Sequence, residues 1–165
     1  MRRWADFEAL VPELAALGRE RIERFGFVFV ATIRRDGGPR VNPVEAHLVG
    51  DDLALVMIPG SLKALDVRRD PRVFLHTPVL EPELGTPGEF KLRARAVAIE
   101  NRRPRRQIAE TWERAGGYRP PPDWEHFALD VESAAFHRYD EPAGVHHLLR
   151  WTPARGLERS TRTYL

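Results

Sequence analysis

Apolar positions at the start of the chain have a helical period that then gives way to strand-like runs. Between Phe7 and Phe25 apolar residues recur at steps of three and four, and Gly26 follows, so this segment is predicted to be an N-terminal amphipathic helix. Three runs rich in β-branched and aromatic residues come next, separated by short Gly-containing turns. These runs are Phe27–Arg35, Arg40–Val49 and Leu53–Ile58. They predict three strands of an antiparallel meander.

The rest of the chain continues the β pattern with two further helices. The predicted elements are a helix at Ser61–Arg69, strands at Arg72–Thr77 and Phe90–Ile99, a helix at Pro104–Ala115, and strands at Phe127–Tyr139 and Val145–Trp151. Loops are expected at Pro78–Gly88 and, with three prolines, at Tyr118–Trp124. One face of the fifth strand is small and apolar, as the interior of a narrow barrel requires.

These elements predict a mainly β fold, an antiparallel β-barrel with flanking helices. We expect one domain over residues 1–165, with a barrel core over residues 27–151. The tail from Thr152 to Leu165 shows no period and is expected to be a C-terminal arm.

Composition excludes several classes of protein. No segment approaches the roughly 18 apolar residues of a membrane helix, and the first residues lack the apolar core of a secretory signal, so a cytoplasmic protein without membrane contact is expected. The chain has no cysteine, which removes disulfides, thiolate metal sites and cysteine nucleophiles. Any chemistry must come from other side chains or from a cofactor.

The charge is weakly positive and is carried almost entirely by arginine. The formal net charge is +2, which suits anionic small molecules and is too weak to require nucleic acid. The basic cluster Arg102–Arg106 is interpreted as a solvated turn, because the sequence shows no aromatic platform or recognition motif beside it, and a nucleic-acid binder resting on this cluster is the alternative. His146 and His147 are adjacent on a strand and point to opposite faces, so no metal site is predicted.

A candidate anion site begins where the third strand ends. Ile58 is followed by a Pro-Gly turn and by Ser61 at the mouth of a helix, where free N–H groups and the positive end of the helix dipole converge. Lys63 adds a flexible positive charge. On these residues alone, a simple helix cap beside a solvated lysine remains the alternative.

The order of the motifs along the chain makes this site more specific. Its pieces are Ala31-Thr32, Asp36-Gly37, Arg40-Val41-Asn42-Pro43-Val44, Asp52-Leu53, Ser61-Leu62-Lys63 and Asp70-Pro71-Arg72-Val73. The arrangement resembles the pyridoxamine 5′-phosphate oxidase-like flavoproteins, whose fold is a dimeric, FMN-binding split β-barrel. The resemblance covers residues 25–100 well and the remainder in outline.

The resemblance implies a set of cofactor-binding residues. Ser61, Lys63 and Arg40 match the family's phosphate-binding positions, and Asn42 to Val44 match the strand beside the flavin ring. Pro43 cannot donate to a β-ladder, which independently favours an edge or the split of the barrel. The residues expected to contact the cofactor are Arg40, Val41, Asn42, Pro43, Val44, Met57, Ile58, Ser61, Leu62, Lys63, His76 and Thr77.

The implied function is an FMN-dependent oxidoreductase acting on an unidentified small molecule, as a homodimer with a site at each subunit boundary. No side chain stands out as a catalytic acid or base. An F420-dependent reductase of the same fold and a non-catalytic flavin or haem carrier or sensor remain alternatives.

Members of the family that oxidise the vitamer carry an Arg-x-His pair near the C-terminus. Here Gly144 stands two positions before His146, and Val145 two before His147. We therefore expect that this chain is not itself a pyridoxamine-phosphate oxidase.

Overall fold

The computed structural model of the chain describes residues 1–79, 87–116, 118–140 and 142–163. The helices are α1 (Trp4–Leu10), α2 (Pro12–Phe25), α3 (Leu62–Arg69) and α4 (Arg102–Gly116). The strands are β1 (Phe27–Ile33), β2 (Pro39–Val49), β3 (Asp52–Met57), β4 (Arg72–His76), β5 (Glu89–Ala98), β6 (Glu125–Asp140), β7 (Val145–Thr152) and β8 (Gly156–Thr163).

Six of the strands close into an antiparallel barrel. Their order is β3-β2-β1-β4-β5-β6, and β3 also pairs with β6, which completes the ring. The 16-residue strand β6 pairs first with β3, then with β5 and finally with β7, so it both closes the barrel and extends the sheet. The predicted fold class, a mainly β barrel with flanking helices, is confirmed.

A single cluster of buried apolar side chains fills the barrel. Every barrel strand contributes to it, for example through Val30, Val44, Leu55, Leu75, Leu92 and Leu129. The small residues Ala94 and Ala96 of β5 are buried in the same cluster, as the alternation along that strand predicts.

Helices cover the barrel from outside. Helix α2 packs closely, because a Cβ added at Gly18 would lie 2.8 Å from the ring of Phe90. Helix α4 places Ile108 and Trp112 against Ala54 and Val56, so β3 is buried on both faces. Among the described residues, none of the helices has both the length and the apolar character to cross a membrane.

The prediction of one continuous helix from Phe7 to Phe25 is wrong. The structure has α1 and α2, separated at Val11, whose backbone (φ −143°, ψ 63°) is not helical. Pro12 causes the break, because its ring disfavours a helical conformation of the preceding residue and its nitrogen carries no hydrogen.

The tail expected to be a C-terminal arm contains a strand that its lack of a period did not predict. Residues Gly156–Thr163 form β8, which pairs with β7 along its whole length. Its side chains are almost all exposed, so no apolar alternation marks the strand in the sequence. Of the loop predicted at Pro78–Gly88, residues 80–86 lie outside the described residues.

Candidate functional site

The candidate anion site lies at the mouth of α3. Strand β3 ends at Met57, and the chain turns through Gly60, whose φ of +68° suits glycine. The N–H of Ser61 donates to the carbonyl of Ile58 (3.1 Å), and the N–H of Leu65 donates back to the carbonyl of Ser61 (2.9 Å). The N–H groups of the three residues between them lie in the first turn, where a helix leaves its donors free.

Ser61 and Lys63 have no protein partner at this mouth. Ser61 holds the N-cap position, yet its hydroxyl makes no cap hydrogen bond, and Oγ is buried without a partner among the described residues. Lys63 likewise makes no hydrogen bond or ion pair within the described part of the chain. A buried hydroxyl without a partner costs free energy, so this geometry fits a bound anion better than a simple helix cap.

Arg40 is held next to α3 by a buried carboxylate. Its Nε donates to Asp66 Oδ2 (2.7 Å), which also accepts a hydrogen bond from the hydroxyl of Thr32 (3.0 Å). Burial disfavours the charge of Asp66, but the hydrogen bonds from Arg40 and Thr32 hold its pKa below the ordinary value. The terminal Nη atoms of Arg40 make no hydrogen bond within the described residues, which leaves them available to an anion.

Asp66 and Thr32 were missed as site residues by sequence reasoning. The available signal was the position of Asp66 on the face of α3 that also carries Ala64 and Val67, both of them buried. A carboxylate among buried apolar residues requires a cationic partner.

A cavity of about 370 Å³ opens beside this mouth. It lies where β2 leaves β3: Glu45 pairs with Val56, whereas residues 39–44 of β2 pair only with β1. Its walls are mostly apolar and aromatic, formed by Phe27, Pro43, Val44, Glu45, Val56, Ile58, Lys63, Trp112 and Trp124. The cavity therefore combines a flat apolar wall with a lysine from the anion site.

Glu45 is the carboxyl group of this cavity. Burial raises its pKa, and no hydrogen bond or ion pair to the described residues offsets that effect. Sequence reasoning found no acid or base, because Glu45 sits in an ordinary alternating strand and only the parting of β2 from β3 places it in a cavity.

The structure brings together part of the predicted residue set. Pro43, Val44, Ile58 and Lys63 line the cavity, while Ser61 and Arg40 lie at the helix mouth and beside α3. The others lie elsewhere. Val41 and Leu62 are largely exposed, Asn42 is half-buried opposite Val30, and the Met57 side chain packs in the barrel core.

His76 and Thr77 are separate from the cavity within one chain. The hydroxyl of Thr77 accepts a hydrogen bond from the N–H of Phe90 (2.9 Å), and His76 Nε2 lies 3.2 Å from a Glu89 carboxylate oxygen. In register, Pro43 faces Phe29, and Phe29 faces His76 on the next strand. His76 therefore lies two strands away from Pro43 in the same sheet.

The family follows from the comparison with protein families. The family model described as pyridoxamine 5′-phosphate oxidase matches residues 15–138, and its range includes the α3 mouth and the whole cavity. This chain belongs to the pyridoxamine 5′-phosphate oxidase family. Members of the family bind small molecules, commonly a flavin, and often form dimers. The search of curated proteins finds no match to this chain.

Solved structures share the fold of this pyridoxamine 5′-phosphate oxidase family member at low identity. ChuZ from Campylobacter jejuni has a TM-score of 0.70 at 12% identity, and the match covers 88% of this chain and 62% of ChuZ. The Mycobacterium smegmatis haem-binding protein has a TM-score of 0.62 at 15% identity, covering 93% and 89%. PhzG from Burkholderia lata 383, in complex with tetrahydrophenazine-1-carboxylic acid, has a TM-score of 0.61 at 14% identity, covering 96% and 92%. These identities establish the shared fold alone.

Two histidines of this family member contact each other on the outer sheet. His146 Nε2 lies 3.0 Å from His137 Nδ1, and His146 stacks on Tyr139 with ring centroids 4.8 Å apart. Burial and the nearby Lys91 and His146 lower the pKa of His137 to about 4. In the described ranges, no group of three or more His, Asp or Glu side chains is arranged to hold a metal ion.

Asp66→Asn is expected to destabilise the protein by about 1.5–3 kcal/mol at pH 7, because the buried charge-assisted hydrogen bond from Arg40 is weakened. The pKa of Asp66 is lower in the folded protein than in the unfolded chain. Its contribution to stability is therefore present at pH values above the ordinary aspartate pKa of about 3.9, and it is lost as pH falls through the folded-state pKa. Urea unfolding of both proteins from pH 7 to pH 3 should show the difference shrinking at the acid end. Asp123→Asn, at an exposed position, is the matched control. Equal losses in the two variants would contradict the assignment.

Proposed function

We propose that this protein binds FMN, with the phosphate at the mouth of α3 and the ring in the adjoining cavity, and acts as an oxidoreductase on a small molecule. The observation that carries the proposal is the buried hydroxyl of Ser61 beside Lys63, both without a partner among the described residues. Bound FMN supplies hydride or electron transfer at its ring, and the protein supplies binding, orientation and electrostatics.

The phosphate is bound by complementary groups from two elements. The first-turn N–H groups and Ser61 of α3 donate hydrogen bonds, Lys63 adds a positive charge, and Arg40 offers its free Nη atoms from β2. Asp66 positions Arg40 for this role, because it engages Nε and leaves the opposite edge of the guanidinium open.

The ring lies against the parted strands. Pro43 and Val44 on β2 form one side, and Trp112 and Trp124 form an aromatic wall that excludes water. Glu45 lines the same cavity, and burial raises its pKa above the ordinary value. Glu45 is therefore the group proposed to exchange a proton with a substrate at the ring.

A homodimer completes this site. The outer surface of β1, β2 and β4 exposes Phe29 (38%), Val41 (59%) and Phe74 (43%). Val41 and Phe74 pair with Ala31 from either side, and Phe29 lies two residues before Ala31 on the same strand. A contiguous exposed apolar surface favours association, and symmetric pairs are the commonest assemblies. In the dimer, His76 and Thr77 would approach the partner's ring.

A haem carrier is the second candidate. The contact between His137 and His146 favours it, because the low pKa of His137 keeps that imidazole neutral and able to bind iron at neutral pH. A structural neighbour from Mycobacterium smegmatis is described as a haem-binding protein. The optical spectrum of the purified protein separates a flavin, a deazaflavin and haem, and a haem spectrum without flavin would contradict the FMN proposal.

Lys63→Ala is expected to weaken FMN binding by about 10–100-fold, because it removes a charge-assisted contact to the phosphate. The measurement is titration of the apo-protein with FMN, and circular dichroism checks that the fold is kept. Arg68→Ala is the matched control, since Arg68 lies in the last turn of the same helix and its Nε donates to Glu125 (2.6 Å). An unchanged FMN affinity in Lys63→Ala would remove this lysine from the site.

The protein is expected to have about twice the 18.9 kDa chain mass in light scattering. Phe74→Glu should shift it toward the monomer and weaken flavin binding, because a charge is buried in the apolar interface. Leu10→Glu changes an exposed residue of α1 and serves as the control. A monomer that holds flavin tightly would contradict the shared site.

The FMN-loaded protein is expected to turn over pyridoxine phosphate at least about 100-fold more slowly than the roughly 1–10³ per second typical of enzymes on their own substrates. The reason is that no arginine stands two positions before His146 or His147 to orient the substrate. Formation of the aldehyde product under oxygen is the measurement. A rate within that typical range would show that β7 supplies the pocket in another way.

A further inference from the structure

A second cavity, of about 850 Å³, lies at the start of α4. The first turns of α4 contribute Arg102, Arg103, Arg105 and Arg106, and the loop after α4 contributes Arg119. It shares no lining residue with the 370 Å³ cavity beside α3. Five guanidinium groups therefore converge on one concave surface that the flavin proposal does not use.

The charges around this cavity are not balanced by the described residues. Arg106 pairs with Glu110 (3.4 Å) and Arg119 with Glu113 (2.7 Å), whereas Arg102 and Arg103 have no carboxylate partner within the described ranges. Two paired carboxylates against five guanidiniums leave an excess of three positive charges.

The position of these arginines on the helix increases the imbalance. The first turn of α4 has no acidic residue, and the positive end of a helix dipole disfavours cationic side chains. An anion bound at this end would relieve the repulsion among the arginines and between them and the dipole.

The walls of the cavity are preorganised and partly apolar. Arg105 Nη2 donates to the carbonyls of Pro122 (2.7 Å) and Trp124 (2.5 Å), which fastens the loop to the start of α4. The consecutive prolines at 120–122 form a stiff apolar wall. His126, 4% exposed, also lines the cavity, and its Nε2 has no partner among the described residues.

We propose that this cavity binds a phosphate-bearing small organic anion of the nucleoside diphosphate class. Guanidinium groups bind phosphate oxygens through paired, charge-assisted hydrogen bonds, and the excess of three positive charges complements a diphosphate. The proline wall accepts the apolar face of the organic part. A nucleic-acid strand fits less well, because the site is concave and not an extended groove that could follow a backbone.

The test is calorimetric titration with ADP, with adenosine as the uncharged probe, at 200 mM salt. Wild type should bind ADP and not adenosine, and Arg103→Gln/Arg106→Gln should weaken ADP binding by about 10–100-fold through the loss of two phosphate contacts. Arg114→Gln, near the end of the same helix and outside the cavity, should leave ADP affinity unchanged. Both sites of substitution are exposed, so the fold should be kept.

Three results would overturn the proposal. These are the absence of ADP binding to wild type, equal ADP affinity in the double variant and wild type, and tighter binding of a single-stranded oligonucleotide than of ADP at the same salt concentration. Lys63→Ala separates this site from the flavin site. If Lys63→Ala loses ADP binding and the double variant keeps it, the nucleotide binds at α3 and the inference is overturned. ADP binding kept in Lys63→Ala supports it, whatever the outcome for FMN.

Discussion

The pairing of β3 with β6 is the contact on which the rest of the structure depends. It closes the barrel, and it sets Val56 opposite His126 in register. Val56 lines the cavity beside α3, and His126 lines the arginine-rich cavity. The same pair of strands therefore positions both candidate sites, and α4, packed on the outer face of β3, borders both of them. Loss of this pairing would remove both cavities together.

Positive charge is distributed differently at the two sites. At α3 one buried carboxylate, Asp66, holds Arg40 in place. The remaining donors are the N-cap hydroxyl of Ser61 and the ammonium group of Lys63, which have no partner among the described residues, and the N–H groups of the first helical turn. At α4 the arginines are numerous, largely exposed and only partly paired. The first arrangement favours tight binding of one phosphate in a fixed orientation. The second favours a larger, multiply charged anion held at a rim.

The aromatic residues connect these sites physically. The rings of Trp112 and Trp124 lie 5.7 Å apart, and His47 packs against Trp112 at 5.3 Å. Trp124 also provides the carbonyl that Arg105 binds. Under the proposed function, Trp124 in the wall that faces the flavin ring follows directly on the proline loop that borders the arginine-rich cavity. A ligand in one cavity therefore contacts residues adjacent to the other cavity.

Local features of the sequence determined the fold class and the heart of the candidate site. Strand alternation, Gly-containing turns and the Ser61-x-Lys63 step at a helix start are set within a few residues, so most strands, α3 and the place of the candidate anion site were predictable. Tertiary structure decided what depends on distant partners. Asp66 supports Arg40, and Glu45 is a partly buried acid in a cavity, only because β2 parts from β3 beside α3. The exposed strand β8 formed because β7 offered an edge, and the arginines of α4 line a cavity because the proline loop, whose Pro122 lies 17 residues beyond Arg105, folds back over them.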